Sequence, residues 1–281
     1  MISRLKSQAF GTACLVATLI SVSVLVFLLL SIVREGYGRL NLDLIANMPS
    51  EDPSRAGIKL ALVGSFWLTS LTTLFAVPVG VGSAIYLEEY ARTSKLRSLI
   101  QLNISNLASV PSVVYGILGL GLFVRAMMLG RSVLAGALTL SLVVLPIIIL
   151  AAQEALRSVP DSIRSASYAL GATKWQTTWR QVIPAAAPGI MTGVILALSR
   201  AIGEAAPLLV VGAVGTATFL PTKITDEFSA LPIQIFNWSS RPQQEFHDVA
   251  GSGIIVLMVM LICMNAIAVF LRYRFSQRVQ W

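Results

Sequence analysis

Long charge-free apolar runs alternate with short polar stretches along most of this chain. The runs cover 7–33, 60–87, 98–124, 132–153, 181–199, 205–222 and 249–271. A helix that crosses a bilayer needs about 20 such residues, so each run is a candidate span. Only Arg200-Ala201-Ile202-Gly203-Glu204 separates the fifth run from the sixth. Five residues of helical character do not readily turn a chain around at a membrane surface. Residues 186 to about 214 therefore read as one long helix that carries two charges and bends near Pro207. Seven runs reduce to six spans.

Composition agrees. Hydrophobic residues make up 56% and charged residues 12%, with a mean hydropathy of +0.78. Soluble domains carry about 25% charged residues. The fold class is all-α, a polytopic integral membrane protein of six transmembrane helices. The run from Ser7 to Val33 far exceeds the roughly 7–15 apolar residues of a signal peptide and predicts an uncleaved first span. Residues 1–59 hold an N-terminal tail, this span and an outer loop, and 60–281 hold the other five spans. Cys14 and Cys263 read as small buried hydrophobes, and His247, the single histidine, gives no support to a proton relay.

The net charge of +8 does not indicate nucleic acid, because the basic residues are scattered between apolar runs, as the positive-inside pattern requires. Six spans put 12 Lys and Arg on one side and 8 on the other, whereas seven spans nearly equalise the sides. The richer side is cytoplasmic and holds both termini and the loop 154–184. The other side carries two outer loops, 34–57 and 215–248. The second, with Leu231, Ile233, Ile235, Phe236 and Trp238, fits either an interfacial anchor or a contact with an external protein.

The polar loop from Glu154 to Pro184 is too long and too organised for a mere connection. Ser158 to Asp161 fits a capping box and predicts a helix to Leu170, stopped by Gly171. Thr173 to Gln176 is a second box, starting a helix that Pro184 interrupts. Trp175 and Trp179 are four apart on one face, which Val182 extends. Such a knob fits a groove on a partner; an interfacial helix with Trp at the headgroups is the other reading.

The same loop resembles the EAA loop of ABC-importer permeases, whose pattern is E-A-A-x3-G-x9-I-x-L-P. Gly171 and Pro184 stand at the pattern's spacing and Ala166 matches its middle alanine, while Ser165, Ser167, Gln181 and Ile183 depart from it. Ala84–Ala91 (AIYLEEYA), Asn106–Gly116 (NLASVPSVVYG), Ala169–Trp175 (ALGATKW) and Arg200–Leu209 (RAIGEAAPLL) together are similar to PstA-type permeases of phosphate importers. The resemblance covers about 60–281. It implies the type I ABC-importer permease fold in a bacterial inner membrane. It also implies partners: a homologous second permease forming a heterodimer, two copies of a cytoplasmic ATPase, and an external phosphate-binding protein. In that family the loop enters a cleft on the ATPase, so Ala166, Gly171, Lys174, Trp175, Trp179 and Pro184 become the expected coupling residues. The chain lacks a G-x4-GK-[ST] phosphate loop. It is expected to be no enzyme and to hold no cofactor, with ATP and Mg bound by the partner.

Chemistry inside the fifth span points the same way. Arg200 and Glu204 share a helical face, and a charge within the membrane costs at least ~2.5 kcal/mol. Arg grips a tetrahedral oxyanion through a fork of N–H donors, and Glu204 competing for the guanidinium keeps the grip loose enough for passage. A structural ion pair is the alternative. Asn106 and Ser109 either line a wet cavity or bond another helix. Gly116, Gly119 and Gly121 read as packing glycines, and Gly203 and Pro207 permit close packing and a bend. The expected function is the permease half-channel of an ATP-driven phosphate importer. A permease for sulfate, molybdate or phosphonate shares the physical arguments; an ion-coupled secondary transporter and a membrane scaffold are the readings from other classes.

Overall fold

The computed structural model describes residues 2–213 and 219–276. Arg278 and the first residues of the outer loop, 215–218, lie outside the described residues. Every regular element among those described is helical. In chain order they are α1 (Ile2–Gly36), α2 (Leu42–Ala46), α3 (Lys59–Ile85), α4 (Lys95–Ala108), α5 (Ser112–Gly119), α6 (Val133–Arg157), α7 (Asp161–Ala169), α8 (Lys174–Thr177), α9 (Ile183–Gly203), α10 (Ala206–Val211), α11 (Leu231–Ser239) and α12 (Gln244–Ser276). Widened π-turns extend α3 over Tyr86–Tyr90 and α5 over Leu120–Ala126, and another joins α8 to α9 over Thr178–Val182.

Five continuous helices are long and apolar enough to cross a membrane, and the sixth candidate is broken: α4 and α5 meet at 102°. Contacts between the spans decide whether this bent pair crosses. The Thr72 hydroxyl donates to Ala137 O (3.3 Å), Leu68 lies against Gly136, and Gly80 lies against Ile148. Residue numbers rise together along this seam, so α3 and α6 run parallel. Parallel neighbours need a connection that returns through the full thickness, and α4 with α5 supplies it. The six-crossing architecture follows, with a corner in the third crossing where one straight helix is expected from the sequence. The cause is Pro111, which has no N–H to give and restrains Val110 before it to an extended or turn geometry.

Small residues bring the helices together. Without a hydrophobic drive in lipid, association relies on close van der Waals contact. Gly189 and Gly193 of α9 lie against Ala155 and Ala151 of α6, antiparallel, and a Cβ on Gly189 would stand 2.8 Å from that of Ala155. The α12 helix runs antiparallel to α9 through Ser199–Asn265 (2.6 Å) and Arg272–Thr192 (2.9 Å). It meets α1 where the Ser252 hydroxyl donates to Gly36 O (2.7 Å). The rest of α1 presents exposed apolar side chains such as Phe10, Leu19 and Phe27. Cys14 and Cys263 are exposed on their helices rather than buried, contrary to the sequence reading.

Two further expectations are corrected. The fifth span ends at Gly203, with extended backbone at Glu204 (φ −80°, ψ 113°), so the break falls ahead of Pro207. The six residues of α10 rise only ~9 Å, too short to cross alone, in keeping with the sixth run not being a separate span. The second outer loop is neither an interfacial anchor nor a free surface along most of its length. Its helix α11 is wedged into the bundle, with Leu231, Ile233 and Trp238 buried and Phe236 alone among the five named hydrophobes exposed. Its first N–H, on Leu231, is capped from another helix by Ser65 Oγ (2.9 Å).

Candidate functional site

The loop between the fourth and fifth crossings is shorter than the sequence suggests. Helix α6 continues through Arg157, and Ser158 turns its hydroxyl back onto Ala155 O (2.8 Å) instead of capping α7. Pro160 holds the N-cap position of α7 without a side-chain bond. Gly171 ends the segment at φ +80°, a conformation that penalises a Cβ. Thr173 and Gln176 form the anticipated capping box in full. From Lys174 the helix runs unbroken to Gly203. Pro184 does not interrupt it. The π-turn just before the proline loosens the ladder where its N–H is missing.

Thirty helical residues span ~45 Å, about half as long again as a ~30 Å hydrocarbon core, and the polar end of this rod is its start, Lys174 to Gln181. There Trp175 and Trp179 stack, with ring centroids 5.4 Å apart and planes 7° from parallel. Both are more than half exposed. Val182 is fully buried and does not belong to their face. Ala166 and Gly171 border a surface concavity with Ile163, Leu170, Gln176 and Arg180. Lys174 lies 5.4 Å from the Tyr90 ring centroid, near enough for a cation–π contact.

At the opposite end of the same rod, Arg200 Nε donates to Glu204 Oε1 at 3.3 Å. The Arg200 side chain is 54% exposed and that of Glu204 17%. The guanidinium therefore faces out of this chain's own core while the carboxylate is largely withdrawn, at the point where the helix unwinds. Gly203 has open space around it and makes no close approach. Gly116 does: a Cβ there would lie 2.8 Å from Pro207 Cα. Thus the segments 106–116 and 200–209, far apart in sequence, are brought together. Gly119 sits tightly on Thr139, and Gly121 faces open space.

Asn106 and Ser109 lie at the α4–α5 corner, both exposed, with Ser109 Oγ donating to Asn106 O (2.7 Å). They bond within their own turn instead of to another helix. Among the described residues no hydrogen bond joins them to Arg200 or Glu204.

Sequence reading missed an ionic cluster at the base of α7. Glu88 accepts from Arg97 (2.9 Å) and from Arg157, and Glu89 accepts from Arg164 (2.8 Å). Burial works against the Arg164 cation, but the hydrogen bond and charge of Glu89, with Asp161 nearby, hold its proton more firmly than usual. Beside it, Gln101 and Gln153 exchange amide hydrogen bonds at 3.0 and 2.9 Å and tie α4 to α6. The only signal in the sequence was a pair of adjacent acids closing an apolar run.

Residues 76–281 match the family model described as binding-protein-dependent transport system inner membrane component. A probable ABC transporter permease protein, YqgI of Bacillus subtilis, is 33% identical over 94% of this chain and 93% of its own length. The phosphate transport system permease protein PstA of Yersinia pestis is 33% identical over 87% and 82%. PstA 1 of Mycobacterium tuberculosis is 34% identical over 79% and 72%. A bacterial alginate ABC transporter solved with a pentasaccharide-bound periplasmic protein aligns with a TM-score of 0.70 at 14% identity, covering 98% of this chain and 96% of the other. The MetNI methionine ABC transporter gives 0.61 at 17%, covering 78% and 97%. Those structures share the fold, that of type I ABC-importer permeases. On sequence and architecture together, this chain belongs to the binding-protein-dependent inner-membrane permeases of ABC transporters.

Proposed function

We propose that this chain is the permease subunit of an ATP-driven importer of inorganic phosphate and supplies half of its translocation channel. A homologous second permease completes the channel as a heterodimer. Two copies of an ATPase, which bind the ATP and Mg, dock on the side of α7, and an external phosphate-binding protein delivers the anion opposite. Both termini are then cytoplasmic. The observation that carries the reading is the Arg200–Glu204 pair at the break between α9 and α10, with the Arg200 guanidinium turned away from the chain's own core. Relatives described as phosphate transport permeases, at about a third identity over most of the chain, support phosphate as the cargo.

The chemistry is one of passage. Arg200 offers a fork of donors to a tetrahedral oxyanion, and Glu204 competes for the same guanidinium so that the anion leaves as readily as it enters. Unwound backbone at Glu204 lets α10 and α9 tilt separately as the channel opens to either side. Asn106 and Ser109, at the corner of the third crossing, offer polar contacts along the same path. Ala166, Gly171, Lys174, Trp175, Trp179 and Pro184 form or support the surface that the ATPase grips.

Co-expression with a second permease and an ATPase, followed by reconstitution with a phosphate-binding protein, tests this. ATP-dependent uptake of phosphate that sulfate and molybdate do not compete away is the expected result. A chain that purifies alone, or vesicles that transport another oxyanion in preference, would overturn it.

A further inference from the structure

Glu88 and Glu89 close the third helix and, between them, hold four elements. Glu88 binds Arg97 at the start of α4 and Arg157 at the end of α6, while Glu89 binds Arg164 in the middle of α7. The two carboxylate side chains are only 10% and 7% exposed. They sit in the π-turn Tyr86–Tyr90, a distortion that recurs at functional positions. Arg164 does more than neutralise Glu89. Its Nη2 also donates to Leu156 O (3.0 Å) and its Nη1 to Val159 O (2.7 Å). One planar fork thus ties the end of α3, the end of α6 and α7 into a single joint.

No residue of α7 is fully buried. Besides its covalent ends, α7 is held by the Ile163 side chain, a Ser167–Thr177 hydroxyl contact (2.8 Å) and this guanidinium. Removing one member of a buried pair leaves an uncompensated charge, which is strongly unfavourable, so the joint resists stretching. Beyond it the path is rigid. Helices α3 and α6 are packed along their length, and α6 meets α9 through glycine–alanine contacts at Gly189 and Gly193. Helix α9 carries Arg200.

We infer that Glu89 and Arg164 are positioning residues that turn a displacement of α7 into movement of α3 and α6, with Glu88 drawing α4 into the same motion. This rests on the reading of α7 as the ATPase contact. Neither residue touches the anion or the ATP; each acts through the helices it joins.

The test uses the whole complex in proteoliposomes with the binding protein, recording phosphate taken up and ATP hydrolysed in the same vesicles. Glu89→Gln preserves volume and an acceptor but removes the charge. Arg164→Lys preserves the charge but loses the fork. Both variants should retain the ATPase and its hydrolysis while phosphate moved per ATP falls about tenfold, the scale of a typical coupling between sites. A ratio within about twofold of native in both variants, or uptake and hydrolysis declining in parallel, overturns the inference. Loss of the ATPase from both complexes also overturns it, since the pair would then support docking and not transmission. Native vesicles without ATP-dependent phosphate uptake would instead remove the importer reading itself.

Discussion

Replacing Arg200 with alanine separates the two roles its ion pair offers. As a structural device the pair is weak. It spans i to i+4 at 3.3 Å, and the arginine is more than half exposed, a setting in which such pairs contribute about 0.3–0.5 kcal/mol after solvent screening. At that magnitude, loss of the whole pair should leave the thermal stability of the assembled complex almost unchanged. As a contact on the anion the same group is strong. A hydrogen bond to a charged partner contributes about 1.5–3 kcal/mol, so its loss slows uptake roughly 10- to 150-fold. Melting of the purified complex and uptake of radiolabelled phosphate into vesicles, measured on one preparation, give the comparison. Arg200→Lys should fall between native and alanine, because it keeps the charge and loses the fork. Native rates of uptake in Arg200→Ala would refute the path role. A large drop in melting temperature with a matching drop in uptake would make the pair structural.

Other outcomes depend on the same geometry. Gly171→Val forces a β-branched residue into the left-handed region at a cost of about 1–2 kcal/mol, and Trp175→Ala removes an exposed aromatic of the kind whose loss costs ~2 kcal/mol at interfaces. Each should reduce the ATPase recovered on an affinity column, and unchanged recovery would count against docking there. Gly193→Leu drives a side chain into Ala151 and should destabilise by ~1–3 kcal/mol, whereas Gly121→Ala, which meets open space, should melt like native. Asp226 has its acidity strengthened by backbone N–H donors from Lys223 and Thr222 and by the Thr222 hydroxyl. A depressed carboxylate stabilises the fold above its ordinary value of 3.8 and loses that contribution as pH falls through the folded value. Protection of the amides at 222–226, taken relative to their intrinsic exchange rate at each pH, should therefore fall on acidification, and in Asp226→Asn it should be low already at neutral pH.

What could be read from the sequence was whatever depends on near neighbours. Apolar runs announce spans because the bilayer tests each helix by its own composition. The capping box at Thr173 and the left-handed Gly171 are likewise local, and both stand where the sequence puts them. Ser158 shows how a local pattern loses. Its S-x-x-D spacing suits an N-cap, yet α6 runs on through Arg157, which reaches Glu88, 69 positions away in sequence. With the preceding helix still intact, the serine hydroxyl finds Ala155 O instead. The same competition moved the break in the fifth span: Pro207 is held against Gly116, so the backbone opens at Glu204, before the proline that sequence reasoning blamed.

The ionic joint lies furthest from a local reading, and the reason bears on how the protein works. Glu88 and Glu89 find partners 9, 69 and 75 residues distant, so no short window of sequence contains the whole cluster. Two adjacent acids after an apolar run would ordinarily mark only where a span meets water. Here they are largely withdrawn from it, and burying a carboxylate is tolerable only when a cation meets it in good geometry. Three arginines from three elements must therefore arrive together for the base of the bundle to form. These pairs join α3, α4, α6 and α7 at one place, as the transmission inferred above requires. On the function proposed above, that is the property needed where an ATPase pushes on the bundle.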